Sequence, residues 1–245
     1  ALRKKGITPN ILKAFCSELA YSNNANAVVE YHKFKSVIRN TLNDLAPRRM
    51  FVQDPVKITI LNFCNNMNSV MKPIHPHLKD KSKEFLSSLN EILFIDREDF
   101  KIEGVNKKYK RFAPNRVVRI KYGGLIKYVS HDVDNNNLVT NINVTHHAEK
   151  SLNEKVWGTI HWVSYPNDNT LNDNSYTLTN YEYPNDKNKT GSKTTYCVLL
   201  DYDVNNVFNS DDNYQIERIG YYNISIDNKI ITHLCSLKED NKKNL

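Results

Sequence analysis

Apolar residues follow two different periods along this chain, and the change comes near residue 48. The first part is spaced for helix. Ile11, Phe15 and Leu19 recur at i, i+4 and i+8, with Leu12 and Cys16 beside them. Thr8-Pro9 offers an N-cap followed by a first-turn proline, so a helix is predicted to start there. Val28, Tyr31, Phe34, Ile38, Leu42 and Leu45 keep the same spacing over 27–45. Pro47 stops this second helix, because it lacks an N–H and disfavours helix at the residue before it.

From Arg48 onward the period is two. Strands are predicted at 50–53, 56–63, 91–95, 116–121, 125–130, 138–144, 159–164, 176–181, 196–201, 214–218, 220–226 and 229–235. They are rich in Val, Ile, Tyr and Thr and are bounded by Asn, Asp, Pro or Gly. Ile226-Asp227-Asn228-Lys229 reads as a tight hairpin turn. The stretch 67–88 mixes Pro, His and Lys, and 166–193 is rich in Asn, Asp and Lys; both read as weak points, the second as a long surface insertion. Many short strands with turn signals argue for barrels or a sandwich. The fold class is α+β, a helical start followed by mostly antiparallel β structure.

Length and charge narrow the class. The chain has 245 residues, enough for one large domain or two to three small ones. Its 34 basic and 27 acidic residues leave a net charge of +7, which favours a polyanionic partner. No stretch approaches the ~20 apolar residues of a membrane span, and the start does not read as a secretory leader. Cys16, Cys64, Cys197 and Cys235 are scattered singly, so no zinc site is expected and the thiols are read as free, buried or semi-buried, in a reducing compartment. Asparagine runs at 65–66, 135–137 and 205–206 fall where turns are expected, and Asn tolerates the left-handed backbone there.

Two segments concentrate side chains that bind an unstacked base: Lys155-Val-Trp157-Gly-Thr-Ile-His161-Trp162-Val-Ser164 and Tyr214-Gln215-Ile-Glu217-Arg218-Ile-Gly-Tyr221-Tyr222. A sheet wall bearing Arg, Lys, Gln and aromatics is how proteins read splayed single-stranded RNA. Gln215 offers a donor and an acceptor to a base edge, and Arg218 a planar fork. Three residues apart, they face opposite ways on a regular strand unless a bulge or turn realigns them. The competing reading makes Gln215 a surface residue and pairs Arg218 with Glu217 or an aspartate. Arg119 and Lys121 alternate with Val118 and Ile120 and so share a face, forming with Arg116 and Tyr122 a second constellation; a solvated face is the alternative. Trp157 offers a stacking face or else packs into a core. Trp162 is assigned to the core, and His161 to a strand surface or a pairing role rather than to catalysis. The basic run Lys107, Lys108, Lys110 and Arg111 is able to neutralise phosphates, or is a solvated turn. His146 and His147, adjacent on a strand, face opposite ways and make no metal site. No triad or metal set supports an independent hydrolase.

Ordered blocks then carry a resemblance. Leu2-Arg-Lys-Lys-Gly-Ile-Thr-Pro9, Leu42-Asn-Asp-Leu-Ala-Pro-Arg48-Arg-Met50, Asp54-Pro-Val-Lys57, Phe94-Ile-Asp-Arg-Glu-Asp-Phe100, Gly158-Thr-Ile-His-Trp-Val-Ser164 and Gln215-Ile-Glu-Arg-Ile-Gly-Tyr-Tyr222 resemble, in order, segments of the glutaminyl-tRNA synthetases. The resemblance implies a helical connecting subdomain over 1–47, a proximal β-barrel from 48–125 and 215–245, and a distal β-barrel over 126–214, both of the ribosomal L25-like kind that binds the anticodon. It implies a parent enzyme that joins glutamine to tRNA-Gln with ATP and Mg2+. The HIGH-like and MSK-like signatures of the catalytic nucleotide-binding fold are missing here, so this chain is expected to hold no cofactor and to be inactive alone. The expected partners are tRNA-Gln and a catalytic domain in cis, in a cytoplasmic monomer without membrane contact.

The same resemblance assigns roles. Gln215 and Arg218 match the residues that meet the middle anticodon base. Lys121 and Tyr122 fall in a basic-plus-polar contact, with Tyr122 where bacterial members have Asn, and Arg119 is a candidate tRNA contact beside them. Lys155 and Trp157 fall in a basic stretch, Trp157 replacing a Lys. Lys110, Arg111, Lys83 and Asn66 are further candidate tRNA contacts. Tyr181 sits at a family tyrosine, but Thr179 replaces the arginine before it. The alternatives are a non-enzymatic L25-like RNA-binding module and the related glutamyl-tRNA synthetase.

Overall fold

A computed structural model describes residues 2–19, 29–64, 69–75, 84–166, 175–182, 192–200 and 208–238. Helix α1 (Pro9–Leu19) starts as predicted, the Ile11 N–H donating to Thr8 Oγ1 at 3.4 Å. Helix α2 (Tyr31–Leu45) begins later than the apolar spacing suggests, because Glu30 is extended at ψ 140°; residues 21–28 lie outside the described set. It ends at Ala46, before Pro47. Ile11, Ile38 and Leu42 pack with Tyr221, Leu234 and Cys235, so the helical pair is seated on the β structure that follows.

That β structure is two curled sheets and a two-stranded ribbon. Its strands are β1 (Arg48–Arg49), β2 (Pro55–Ile60), β3 (Ser69–Pro73), β4 (Glu84–Ser88), β5 (Ile92–Asp96), β6 (Val117–Ile120), β7 (Gly124–Val133), β8 (Val139–His147) and β9 (Val156–Ile160). They continue as β10 (Val163–Tyr165), β11 (Ser175–Glu182), β12 (Ser192–Leu199), β13 (Asp212–Ile216), β14 (Gly220–Ser225) and β15 (Ile230–Ser236). A seven-stranded sheet has the order β10-β5-β2-β8-β7-β6-β9. A six-stranded sheet has the order β1-β13-β14-β15-β11-β12. The α+β class holds broadly, with β structure dominant.

The predicted strand over 159–164 is in fact two strands. The chain leaves β9 at one edge of the seven-stranded sheet and enters β10 at the other edge two residues later. Only a strongly curled sheet brings its edges that close. Trp162 sits at the crossing, wholly buried, and its Nε1 donates to Lys121 O at 2.8 Å. Its indole joins Ile58, Leu93, Val118 and Ile142 in the main core, as its sequence context suggests.

Three other expectations need correction. The strand expected over 50–53 shrinks to Arg48–Arg49 plus one bridge, Val52 to Leu199. The weak stretch 67–88 contains an antiparallel ribbon, β3 paired with β4. Cation–π contacts hold this ribbon down: the Arg49 guanidinium lies 3.9 Å from the Phe85 centroid and Lys72 Nζ 4.1 Å from that of Trp162. The cysteines are all free thiols, but Cys16, Cys64 and Cys197 are exposed and only Cys235 is buried. No helix among the described residues is long and apolar enough to cross a membrane.

Candidate nucleic-acid interface

The parallel pairing of β1 with β13 sets Arg48 opposite Gln215. It continues past the strand end, since the N–H groups of Gln215 and Glu217 donate to Pro47 O and Arg49 O, both at 3.0 Å. Paired residues share a sheet face, and side chains two apart on one strand do too. Arg48, Gln215 and Glu217 therefore project to one side. Tyr214, Ile216 and Arg49 take the other, where the Arg49 guanidinium lies 5.5 Å from the Tyr214 centroid.

The facing edge of the seven-stranded sheet completes the cluster. After β6 the chain turns at Tyr122, which has φ 66°, a conformation that L side chains seldom adopt. That turn carries the Lys121 ammonium and the Tyr122 hydroxyl to the Glu217 carboxylate; Tyr122 Oη donates to Glu217 Oε1 at 3.0 Å and Lys121 forms an ion pair with it. Burial, with the charges of Arg48 and Arg218, draws the Lys121 pKa below that of an ordinary lysine, and burial raises that of Tyr122. Strain and perturbed ionisation thus fall on the same residues.

Two polar atoms of this cluster are buried without a partner, Arg48 Nε and Gln215 Oε1. A donor and an acceptor on neighbouring strands, both unsatisfied, carry a cost that a bound polar edge removes. Gln215 is 6% exposed, so it is no surface residue.

Arg218 lies beyond β13, in the turn before β14, with φ 68°. The regular-strand objection to Gln215 and Arg218 acting together is thereby lifted. Arg218 pairs with Asp99, as one sequence reading proposes, through two contacts of 3.3 and 3.2 Å. Asp99 is 1% exposed and also binds Arg111 Nη1 at 2.9 Å. These groups border an open cleft of about 820 Å3 between the sheets, which Arg97, His161 and Cys197 also line. His161, assigned to a strand surface or a pairing role from sequence, is 2% exposed, and its Nε2 has no partner. Burial first, then the charges of Arg218, Lys121 and Lys72, pushes its pKa down to about 3.

The other expected residues separate. Strand β6 ends at Ile120, so the alternation that placed Arg119 and Lys121 on one face does not reach Lys121. Arg119 instead binds Glu149 twice, at 2.6 and 3.1 Å, on an exposed surface. Lys155 and Trp157 touch, with Nζ 4.0 Å from the indole centroid. Lys110 lies in the loop that packs on β9, its carbonyl against Gly158. Asn62 spends its amide on the His146 backbone. Asn66, Lys83 and the side chain of Tyr181 lie outside the described residues. Arg48, Asp99 and Glu217 are absent from the residues predicted by sequence. Arg48 does stand within the Ala46-Pro47-Arg48 block, at the point where the apolar period changes.

Comparison with known proteins agrees with this geometry. Residues 46–147 match the family model described as tRNA synthetases class I (E and Q), anti-codon binding domain. A protein named Glutamine–tRNA ligase from Haemophilus influenzae is 33% identical over 232 residues, covering 90% of this chain and 41% of that protein. Proteins of the same name from Vibrio vulnificus and Vibrio campbellii are each 31% identical, covering 90% and 97% of this chain. The chain spans about two-fifths of the length of these relatives. The strands β2 to β8, the Tyr122 turn and Arg48 fall within the matched segment: residues 46–147 are the anticodon-binding domain of the class I glutamine and glutamate tRNA synthetases.

Proposed function

We propose that this chain reads the anticodon loop of tRNA-Gln on behalf of a glutamine–tRNA ligase that joins glutamine to its tRNA with ATP and Mg2+. The chain itself grips RNA and forms no glutaminyl adenylate. In this reading the two curled sheets are the two L25-like barrels, 1–47 is the helical connection to a catalytic domain in cis, and the protein works as a cytoplasmic monomer. The β7–β8 hairpin, which pairs with β2 and β6, joins the two segments at the expected 125/126 boundary.

The observation that carries the proposal is the unsatisfied pair Arg48 Nε and Gln215 Oε1, set side by side among Lys121, Tyr122 and Arg218. A uracil edge presents two acceptors and one donor, which matches a guanidinium beside an amide. The base enters at the seam while Arg218 and Arg111 meet the phosphates at the cleft mouth.

The test uses an RNA hairpin bearing the glutamine anticodon and a second one with its middle uracil replaced. Gln215→Ala or Arg48→Ala should weaken the first complex about tenfold, the weight of one or two hydrogen bonds, and should abolish the preference between the hairpins. Equal weakening of both hairpins by these substitutions, with the preference intact, would show that the pair does not read the base.

A further inference from the structure

The indole of Trp157 carries two cations close to its centroid, the Arg116 guanidinium carbon at 3.7 Å and Lys155 Nζ at 4.0 Å. Like charges at that range repel each other from a common face, so we place the ring between them. The two cations differ in freedom. Arg116 is 8% exposed and anchored, Nη1 donating to Tyr109 O at 2.6 Å and Nη2 to Asn106 O at 3.3 Å. Lys155 is exposed, and the ring is its one charged or polar contact among the described residues. One face of the indole is thus fixed from beneath, and the other lies under a cation free to leave. The ring itself cannot drift, because it packs against the main core.

Its position continues the interface. Trp157 is on the edge strand β9, and the next residue, Gly158, lies so close to Lys110 O that an added Cβ would sit 1.9 Å from it. Lys110 is followed by Arg111, which shares Asp99 with Arg218. Arg218, Asp99, Arg111 and the Lys110–Gly158 contact therefore link the Arg48–Gln215 seam to the outer edge of the seven-stranded sheet.

We propose that Trp157 is a second nucleobase platform, separate from the Arg48–Gln215 pair. An unpaired base of the same RNA loop stacks on the face that Lys155 covers, and Lys155 moves from the ring to the adjoining phosphate. The exchange replaces one cation–π contact by a base–indole stack and an ammonium–phosphate contact, both favourable where single strands bind. The inference rests on the RNA-binding reading above, but it concerns a different nucleotide.

The chain contains two tryptophans, and Trp162 is fully buried, so fluorescence quenching on RNA binding reports Trp157. Titrating the whole chain with the anticodon hairpin should quench the emission. Trp157→Phe should keep most of the affinity and lose the quench, whereas Trp157→Ala should weaken binding about tenfold. Single abasic substitutions around the loop should find one position, outside the middle of the anticodon, whose loss is not additive with Trp157→Ala. Thermal melting of each variant separates lost contact from lost folding, and Trp157→Phe covers the case in which the alanine variant melts. An unquenched complex whose affinity survives Trp157→Ala overturns the platform while leaving the anticodon reading in place. If the wild-type chain fails to bind the hairpin at all, both fall together.

Discussion

The imidazole of His161 is 2% exposed, its Nε2 meets no partner, and the charges acting on it are the cations Arg218, Lys121 and Lys72. Its pKa falls from the ordinary 6.5 to about 3. The unfolded chain therefore takes up a proton near pH 6.5, and the folded chain does so only near pH 3. Stability from the neutral ring is whole above pH 6.5 and drains as the pH falls toward 3. We expect wild-type protein to lose about 1 kcal/mol per pH unit more than His161→Gln across that window. Urea titrations at several pH values measure this; parallel slopes for the two proteins would show the ring to be indifferent. At this scale the sequence showed that Gln215 and Arg218 were suited to a base, from their donors and acceptors alone. It could not show that Asp99 holds Arg218, or that Glu217 holds Lys121, because those partners meet 119 and 96 positions apart. Arg48 escaped notice for a related reason: only the parallel pairing of β1 with β13 puts it beside Gln215.

Elements were legible where one period ran unbroken, as in α1, β11 and the β14–β15 hairpin. They were not legible where distant side chains decide. The β3–β4 ribbon has few alternating positions of its own and is held from elsewhere by Arg49, on Phe85, and by Trp162, under Lys72. The split between β9 and β10 lies inside an apolar run, and curling of the sheet, not local propensity, breaks it. The long connection between β5 and β6 is a further case, since it is folded by Arg116, which donates to two of its carbonyls, and by its packing on Gly158. Gly158→Ala puts a Cβ 1.9 Å from the Lys110 carbonyl oxygen, a backbone atom that cannot swing aside. The loop must lift, at a cost of about 1–3 kcal/mol for an overpacked contact. Since Lys110 and Arg111 ride on that loop, RNA affinity should fall along with the denaturation midpoint. A variant as stable as wild type would mean that the loop rests on Gly158 without depending on it.

On the scale of the whole molecule, two sheets with separate cores are joined in few places. One joint is apolar, where Val52, Phe94, Val163, Tyr165 and Leu199 pack and Tyr165 Oη donates to Leu200 O at 2.6 Å. The others are polar: Glu217, after β13 of the six-stranded sheet, holds Lys121 and Tyr122 from the seven-stranded one, and Asp99, just beyond β5 of the seven-stranded sheet, holds Arg218 from the six-stranded one and Arg111 beside it. In the proposed reading RNA crosses the seam and meets residues of both sheets, so their relative position would set the geometry of reading. Asp99→Asn keeps the shape and removes the charge, leaving two guanidinium groups in mutual repulsion. Both arginine side chains are 37% exposed, so water screens part of the loss, and about 1–3 kcal/mol is expected rather than the larger figure for a sealed ion pair. Both tryptophans lie in the segment of the seven-stranded sheet and the β9–β10 crossing, whereas far-ultraviolet circular dichroism reports all strands. In wild-type protein the two signals should melt together. In Asp99→Asn we expect the circular-dichroism transition to broaden and part from the fluorescence transition. We also expect the preference for the correct middle base to shrink more than total affinity, because the freed Arg218 still meets phosphate but no longer from a fixed place. If the transitions stay coincident and the preference is unchanged, the apolar joint and the Glu217 contacts align the sheets without Asp99, which is then only a counter-ion to its arginines.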